Sequence, residues 1–191
     1  MPLSYAHIAI PDQDIPIGVE PLLQHALETY ASETNKVASV WSEFSDDDLG
    51  FRPHARASTV GEIFTHQLLS ERRFFGEFLG TPEPSPEAVL PRTLTVHSAS
   101  DRLIALARPR LRFLADQPRD WWTTRVRFFD VERERAWVFW RRVLHTAHHR
   151  TQLTVYLRLM DRSVPATYGP TADVRWSDAD PTHTVDAAGR G

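Results

Sequence analysis

Leu144-His145-Thr146-Ala147-His148-His149-Arg150-Thr151-Gln152-Leu153 lies in a stretch free of proline and glycine, about Arg133 to Asp161, that reads as one long helix. His145 and His149 are four residues apart. That spacing stacks two side chains on one helical face, with Cβ atoms about 5–6 Å apart, close enough for two imidazoles to share one metal ion. Counting about 100 degrees per residue from His145, Val138, His149, Gln152 and Tyr156 fall within about 40 degrees of it. A plain core stripe would carry Leu or Val at these places, so the mixture of His, Gln and Tyr points to a site. His148 falls to the side. Trp140, Val143 and Ala147 form a second apolar face, which predicts a helix covered on two sides, as in a dimer.

Outward from this helix, the chain reads as an all-α protein: a four-helix bundle with a long crossover connection and a short extended segment before the last long helix. At 191 residues it is expected to be a single domain (1–191), with the bundle over about 19–161 and a C-terminal tail over 162–191. Met1 to Gly18 reads as an extended lead-in on the surface. The first helix is expected from about Val19 to Phe44, with Pro21 in its first turn and an apolar stripe through Leu23, Leu27, Tyr30, Val37 and Trp41. The second is expected from about Thr59 to Leu79. Thr59 and Glu62 have capping-box spacing, and Gly80 ends the helix. Thr81 to Pro91 is proline-rich and reads as a non-helical crossover. The third helix is expected from Ser100 to Asp116, capped by Ser98 or Ser100, with Pro109 kinking or dividing it. Trp121 to Val131 reads as a short extended segment or small hairpin. Val164 to Asp173 reads as a segment folded back over the bundle mouth, with Trp176 able to pin it.

Composition excludes several classes of function. The net charge of −3 provides no field for nucleic acid or an acidic membrane surface. No apolar run is long enough for a membrane helix, and the first residues lack a signal-peptide pattern, so a cytoplasmic protein is expected. There is no cysteine, so any sulfur chemistry must use a thiol brought by another molecule. Thr146 follows His145 where a zinc peptidase of the His-Glu-x-x-His type has its general base, which removes the peptidase reading.

The rest of the metal site is sought in His66, in the middle of the second helix beside Ile63, Leu69 and Ser70. Three neutral imidazoles hold a divalent ion well and leave positions open for water or substrate. His-x-x-x-His also arises by chance, and His25 and His97, each lone, read as surface or core residues.

Ser58-Thr59-Val60-Gly61-Glu62-Ile63-Phe64-Thr65-His66, followed at a distance by the quoted His-rich stretch, resembles the DinB-like (DinB/YfiT-like) superfamily of metalloenzymes over roughly Val19 to Asp173. The resemblance implies a four-helix bundle, with His66, His145 and His149 as ligands of zinc or nickel, and often a homodimer. It also implies thiol-dependent isomerases or S-transferases that use low-molecular-weight thiols of the mycothiol or bacillithiol kind. The chain has Thr151 where the family usually has Gly, which bears on local helix packing.

Three functions follow as expectations. The first is a metal-dependent thiol S-transferase acting on a small electrophilic substrate, with Arg73, Arg141 and Arg142 able to hold the carboxylates of the thiol. The second is a metal-dependent hydrolase of small esters or amides, with only His148 or Tyr156 near enough to help as base. The third is a non-catalytic dimeric metal-binding module, its aromatic face at Trp137 and Trp140 serving the dimer.

Overall fold

The computed structural model describes residues 8–169 and 171–173. Trp176 lies outside them. The fold is an all-α bundle whose long elements are α1 (Gln24–Trp41), α2 (Val60–Arg73), α4 (Val96–Ala115) and α6 (Arg135–Leu159). Between them come α3 (Pro86–Val89), a single turn in the crossover, and α5 (Arg119–Thr123). A hairpin precedes α6: β1 (Arg125–Phe128) pairs antiparallel with β2 (Val131–Glu134), Val126 opposite Arg133. Among the described residues no helix is long and apolar enough to cross a membrane.

The helix ends follow local chemistry. The Thr59 hydroxyl accepts from the Glu62 amide, and the Glu62 carboxylate accepts from the Thr59 amide, so the capping box forms as expected. α2 then widens into a π-helical turn, Phe74–Leu79, which buries Phe74, Phe75, Phe78 and Leu79. Gly80 stops it in the left-handed region at φ 77°, where only glycine is unstrained.

Other ends differ from expectation. α1 begins at Gln24 because a 3-10 turn, Pro21–Leu23, comes first, and Val19 is exposed. α4 begins four residues before Ser100: its box is closed by Thr95 and Ser98, each side chain accepting from the other's amide. The helix also runs on through Pro109 rather than dividing there. The crossover carries the α3 turn because Pro86 sits in the first turn, where its missing N–H costs nothing. The lead-in is not all surface: Ile10 is buried in the core, and its amide and carbonyl both bond the side chain of Asn35.

The core divides in two. One cluster joins Leu27, Tyr30, Phe75, Leu111, Trp122, Phe139 and Val143. The other joins Val37, Trp41, Phe64, Leu103, Leu153 and Leu157, with the Trp41 and Phe64 rings stacked 4.0 Å apart. α1, α4 and α6 contribute to both clusters, whereas α2 packs into the second and its π turn into the first, and polar residues lie in between. On α1 these are Ser32 to Lys36, on α2 Ser70 and Glu71, on α6 His145, Thr146, His149 and Arg150.

This polar layer is buried, so its charges need partners. Arg150 pairs with Glu33 at 2.8 Å and Glu33 with Lys36 at 2.7 Å. Arg110 joins Glu71 at 3.4 Å and Glu83 at 2.6 Å. The Glu83 side chain comes from the crossover, whose approach is permitted by Gly76: a Cβ there would stand 3.2 Å from Glu83 Cγ. The C-terminal segment folds back on the same layer, with the Tyr168 hydroxyl donating to Glu33 at 2.7 Å.

Candidate metal centre

His66 of α2 and His145 and His149 of α6 meet at the edge of the polar layer. Ring centroids are 5.3 Å apart for His66 and His145, 4.7 Å for His66 and His149, and 4.6 Å for His145 and His149. One nitrogen of each lies within 4.8 Å of those of the others. The α6 pair is set by the four-residue spacing, and His66 is brought in because α2 packs against α6. His66 is exposed rather than turned into the bundle, and the other two are half-buried, so the centre opens to solvent on one side.

Each ring is held neutral. Burial, then the charge of Arg142, lowers the His145 pKa to about 3. Partial burial, then Arg142, lowers that of His66. Burial also lowers that of His149, against a hydrogen bond to Gln152 that favours its charged form. Neutral imidazole is the form that ligates a metal.

The neighbours orient the rings. The His149 Nδ1–H donates to Gln152 Oε1 at 3.1 Å, which leaves the Nε2 lone pair facing the centre. Gln152 donates in turn to the Tyr156 hydroxyl at 3.1 Å, and Tyr156 donates to the Ser58 carbonyl at 3.0 Å. The polar stripe read on α6 is therefore a pair of candidate ligands with its support. His145 is held differently, by Arg142 at 2.8 Å from its Nδ1.

Three arginines were candidates to hold a ligand's carboxylates. Arg142 is only 1% exposed and engaged by Ser70 and the Gln67 carbonyl, so it is support for His145 and does not face a ligand. Arg73 and Arg141 do line a cavity of about 450 Å³ beside the triad. Phe74, Phe128 and Phe129 line it too, and His66 and His145 form its floor. These aromatic walls were not foreseen; the hairpin that carries two of them closes only in three dimensions.

The other histidines lie outside the triad. His148 is exposed, with its ring 4.9 Å from that of His149. His25 stacks on Trp140 at 5.8 Å, and exposed His97 pairs with Asp101. The Trp140–Val143 face of α6 is covered as expected, but by the chain itself, with Val143 in the core and Trp140 packed against it. The outward side of α6 carries Trp137, Leu144, Val155 and Leu159 instead. Thr151 lies exposed on that side, and α6 passes it unbroken.

Comparison with known proteins bears on this geometry. The sequence model of the DinB family matches residues 19–178. Among solved structures, a DinB-like protein from Bacillus cereus superposes with a TM-score of 0.65 at 19% identity, over 76% of this chain and 97% of that one. A DinB-like protein from Bacillus subtilis gives a TM-score of 0.59 at 16% identity, over 73% of this chain and 93% of that one. At such identities the likeness is one of fold. No curated protein matches the chain.

Proposed function

The chain belongs to the DinB family, and on that premise we propose that it is a metal-dependent thiol S-transferase, with His66, His145 and His149 holding a divalent ion, zinc or nickel. The observation that carries this is a set of three neutral imidazoles, with no carboxylate or thiolate in the set, at the floor of a cavity of about 450 Å³. Nitrogen donors suit borderline ions such as zinc and nickel, and a three-ligand site keeps a position for a guest. A divalent ion there would supply a Lewis-acid position able to keep an incoming thiol ionised near neutral pH. The thiol comes from outside, since the chain has no cysteine.

The protein's own groups divide the remaining work. Gln152 aims the His149 lone pair, and Arg142 fixes the His145 ring. Phe74 and Phe128 keep water from one side of the cavity. In the reaction the thiol proton goes to solvent. The sulfur electron pair forms the bond to the electrophilic carbon, and the leaving group departs with the electrons of the bond it breaks.

Hydrolysis of small esters or amides gains less support. Tyr156 is tied to Ser58 and Gln152 and so offers no free base, which leaves exposed His148, its ring 4.9 Å from that of His149 but outside the triad and off the cavity lining, as the one base for that reading. We further propose that the outward α6 stripe of Trp137, Leu144, Val155 and Leu159 pairs with a second copy of the chain, which sedimentation analysis would check.

The test mixes zinc- or nickel-loaded protein with monochlorobimane and, in turn, mycothiol, bacillithiol, glutathione and cysteine. The expected result is a conjugation rate above background with at least one thiol, lost in His66→Ala and on chelation. Background rates with all of them would end the S-transferase assignment.

A further inference from the structure

The cavity over the triad has two kinds of wall. One is aromatic: Phe74 from the π turn, Phe128 and Phe129 from the hairpin. Phe129 turns the hairpin at φ 55°, left-handed backbone that a bulky residue rarely adopts, and its ring remains 49% exposed. Strain of this kind persists where the surroundings enforce it, and it concentrates at ligand sites. Here the Phe129 ring rests 5.1 Å from that of Phe78, with the Arg73 guanidinium 5.1 Å above it.

The other wall is cationic. Arg73 and Arg141 line it, and no acidic side chain does. Arg73 is already paired with Glu77 at 3.0 Å. Arg141 is exposed and has no hydrogen-bond or ion-pair partner among the described residues. A free guanidinium fork beside an aromatic slot, within reach of the triad, selects a particular shape and charge of guest.

We infer that this cavity takes a flat apolar carboxylate: its ring system lies against Phe74, Phe128 and Phe129, and its carboxylate is gripped by Arg141. Such a molecule is the class from which the electrophile of the proposed transfer is drawn, so the assignment rests on that reading for its chemistry, though not for its binding. The guanidinium fork matches a carboxylate in two parallel charge-assisted bonds. Aromatic faces add offset or edge-on packing that an aliphatic acid cannot match. The volume suits a small ligand, since such sites run to roughly 300–1,000 Å³.

The test titrates 1-naphthoate, its uncharged amide and acetate into metal-stripped and zinc-loaded protein by calorimetry. Arg141→Ala, Arg141→Gln and Phe129→Ala are run alongside, with thermal melts to verify folding; both positions are exposed enough to keep the fold. The expected result is saturable naphthoate binding to the metal-stripped protein. It should weaken about tenfold or more for the amide, for acetate and for each variant. Equal affinity for acid and amide, for naphthoate and acetate, or for wild type and Arg141→Gln would overturn the inference, as would no saturable binding. Zinc content measured on the same preparations judges the proposed function separately. Protein that binds naphthoate but no metal sinks the S-transferase assignment and keeps the pocket, while protein that loads zinc and ignores naphthoate does the reverse.

Discussion

The guanidinium of Arg142 lies 2.8 Å from Nδ1 of His145, three residues along α6. A guanidinium only donates, so Nδ1 accepts. In the metal-free protein the proton of that ring then sits on Nε2, which faces His149 Nε2 at 3.2 Å. His149 is held the opposite way, its Nδ1–H given to an acceptor. The usual support behind a metal-bound imidazole is such an acceptor. Behind His145 the support is a cation, which favours the least positive form of the ring.

Replacing Arg142 by Met should therefore raise the His145 pKa from about 3 toward its ordinary value of 6.5. The rise should stop short, because burial is the larger cause and remains. Arg142→Lys, which keeps the charge, should leave the ring low. NMR titration of the imidazole in metal-free protein reads this directly. Arg142→Met should also cost about 3 kcal/mol of stability, from the bonds to Ser70 and the Gln67 carbonyl. An unmoved titration midpoint in a folded variant would show that the guanidinium does not tune the ring.

Gln152 acts on the other candidate ligand, His149. Gln152→Leu should weaken zinc binding by roughly 10- to 100-fold, since the ring loses the acceptor that fixes its tautomer. Fold stability should change little, because Gln152 is only part-buried. Gln152→Glu, which keeps an acceptor, should retain affinity. Competition with a chromophoric chelator separates the cases, and equal zinc affinity in Gln152→Leu and wild type would contradict the role given to this side chain.

How much of this was legible in advance follows from the range of each signal. His145, His149, Gln152 and Tyr156 share a face by simple helical counting, and the Thr59–Glu62 box marks where α2 starts, which places His66. The all-α bundle was legible for the same reason: long helices declare themselves by period. Arg142 falls about 60 degrees from His145 on the same wheel, just outside the stripe, so it read as a ligand-facing arginine rather than as support. The start of α4 was missed because its box is closed by Ser98, where the familiar pattern has Glu or Gln. Phe128 and Phe129 lay in a segment legible as extended or as a small hairpin, but nothing local put them at the cavity. Their place in the cavity depends on a hairpin turning back onto the π turn, and neither the hairpin register nor the π widening is written in a period.

The buried ion pair of Glu33 and Arg150 yields a further prediction. Both side chains are nearly inaccessible, at 2% and 1%, and 2.8 Å apart. Glu33→Ala leaves Arg150 and Lys36 as buried cations without their shared carboxylate, and should cost about 3–5 kcal/mol. It also removes the acceptor of the Tyr168 hydroxyl, so the C-terminal segment should open with it. Glu33→Leu combined with Arg150→Met should recover part of the loss, because one of the two cations goes with the carboxylate while Lys36 keeps its charge. Urea denaturation of the single and double variants checks this. A double variant no better than the single would mean that packing, not uncompensated charge, carries the cost.

The three depressed histidines fix the acid behaviour of the metal-free protein. Histidines of the unfolded chain titrate near about 6.5, whereas His66 and His149 are held below that value and His145 down to about 3. Below about 6.5 the unfolded state therefore binds more protons than the native one, and stability must fall as pH falls. The contribution is complete above about 6.5 and is lost progressively toward about 3. Asp48 adds a second loss lower down. Burial pushes its carboxyl up, but bonds from Ser45 and Arg162 more than offset this, leaving it below the usual carboxylate range. Urea midpoints of metal-free protein at pH 7.5, 6 and 5 should thus decline in the histidine window, before Asp48 protonates, and the decline should be shallower in His145→Gln. Zinc at about 100 times its dissociation constant should add about 2.7 kcal/mol at pH 7.5, an increment that shrinks with acid as protons compete for the same nitrogens. A midpoint that stays level from pH 7.5 to 5 would mean that the rings are not held neutral by the fold.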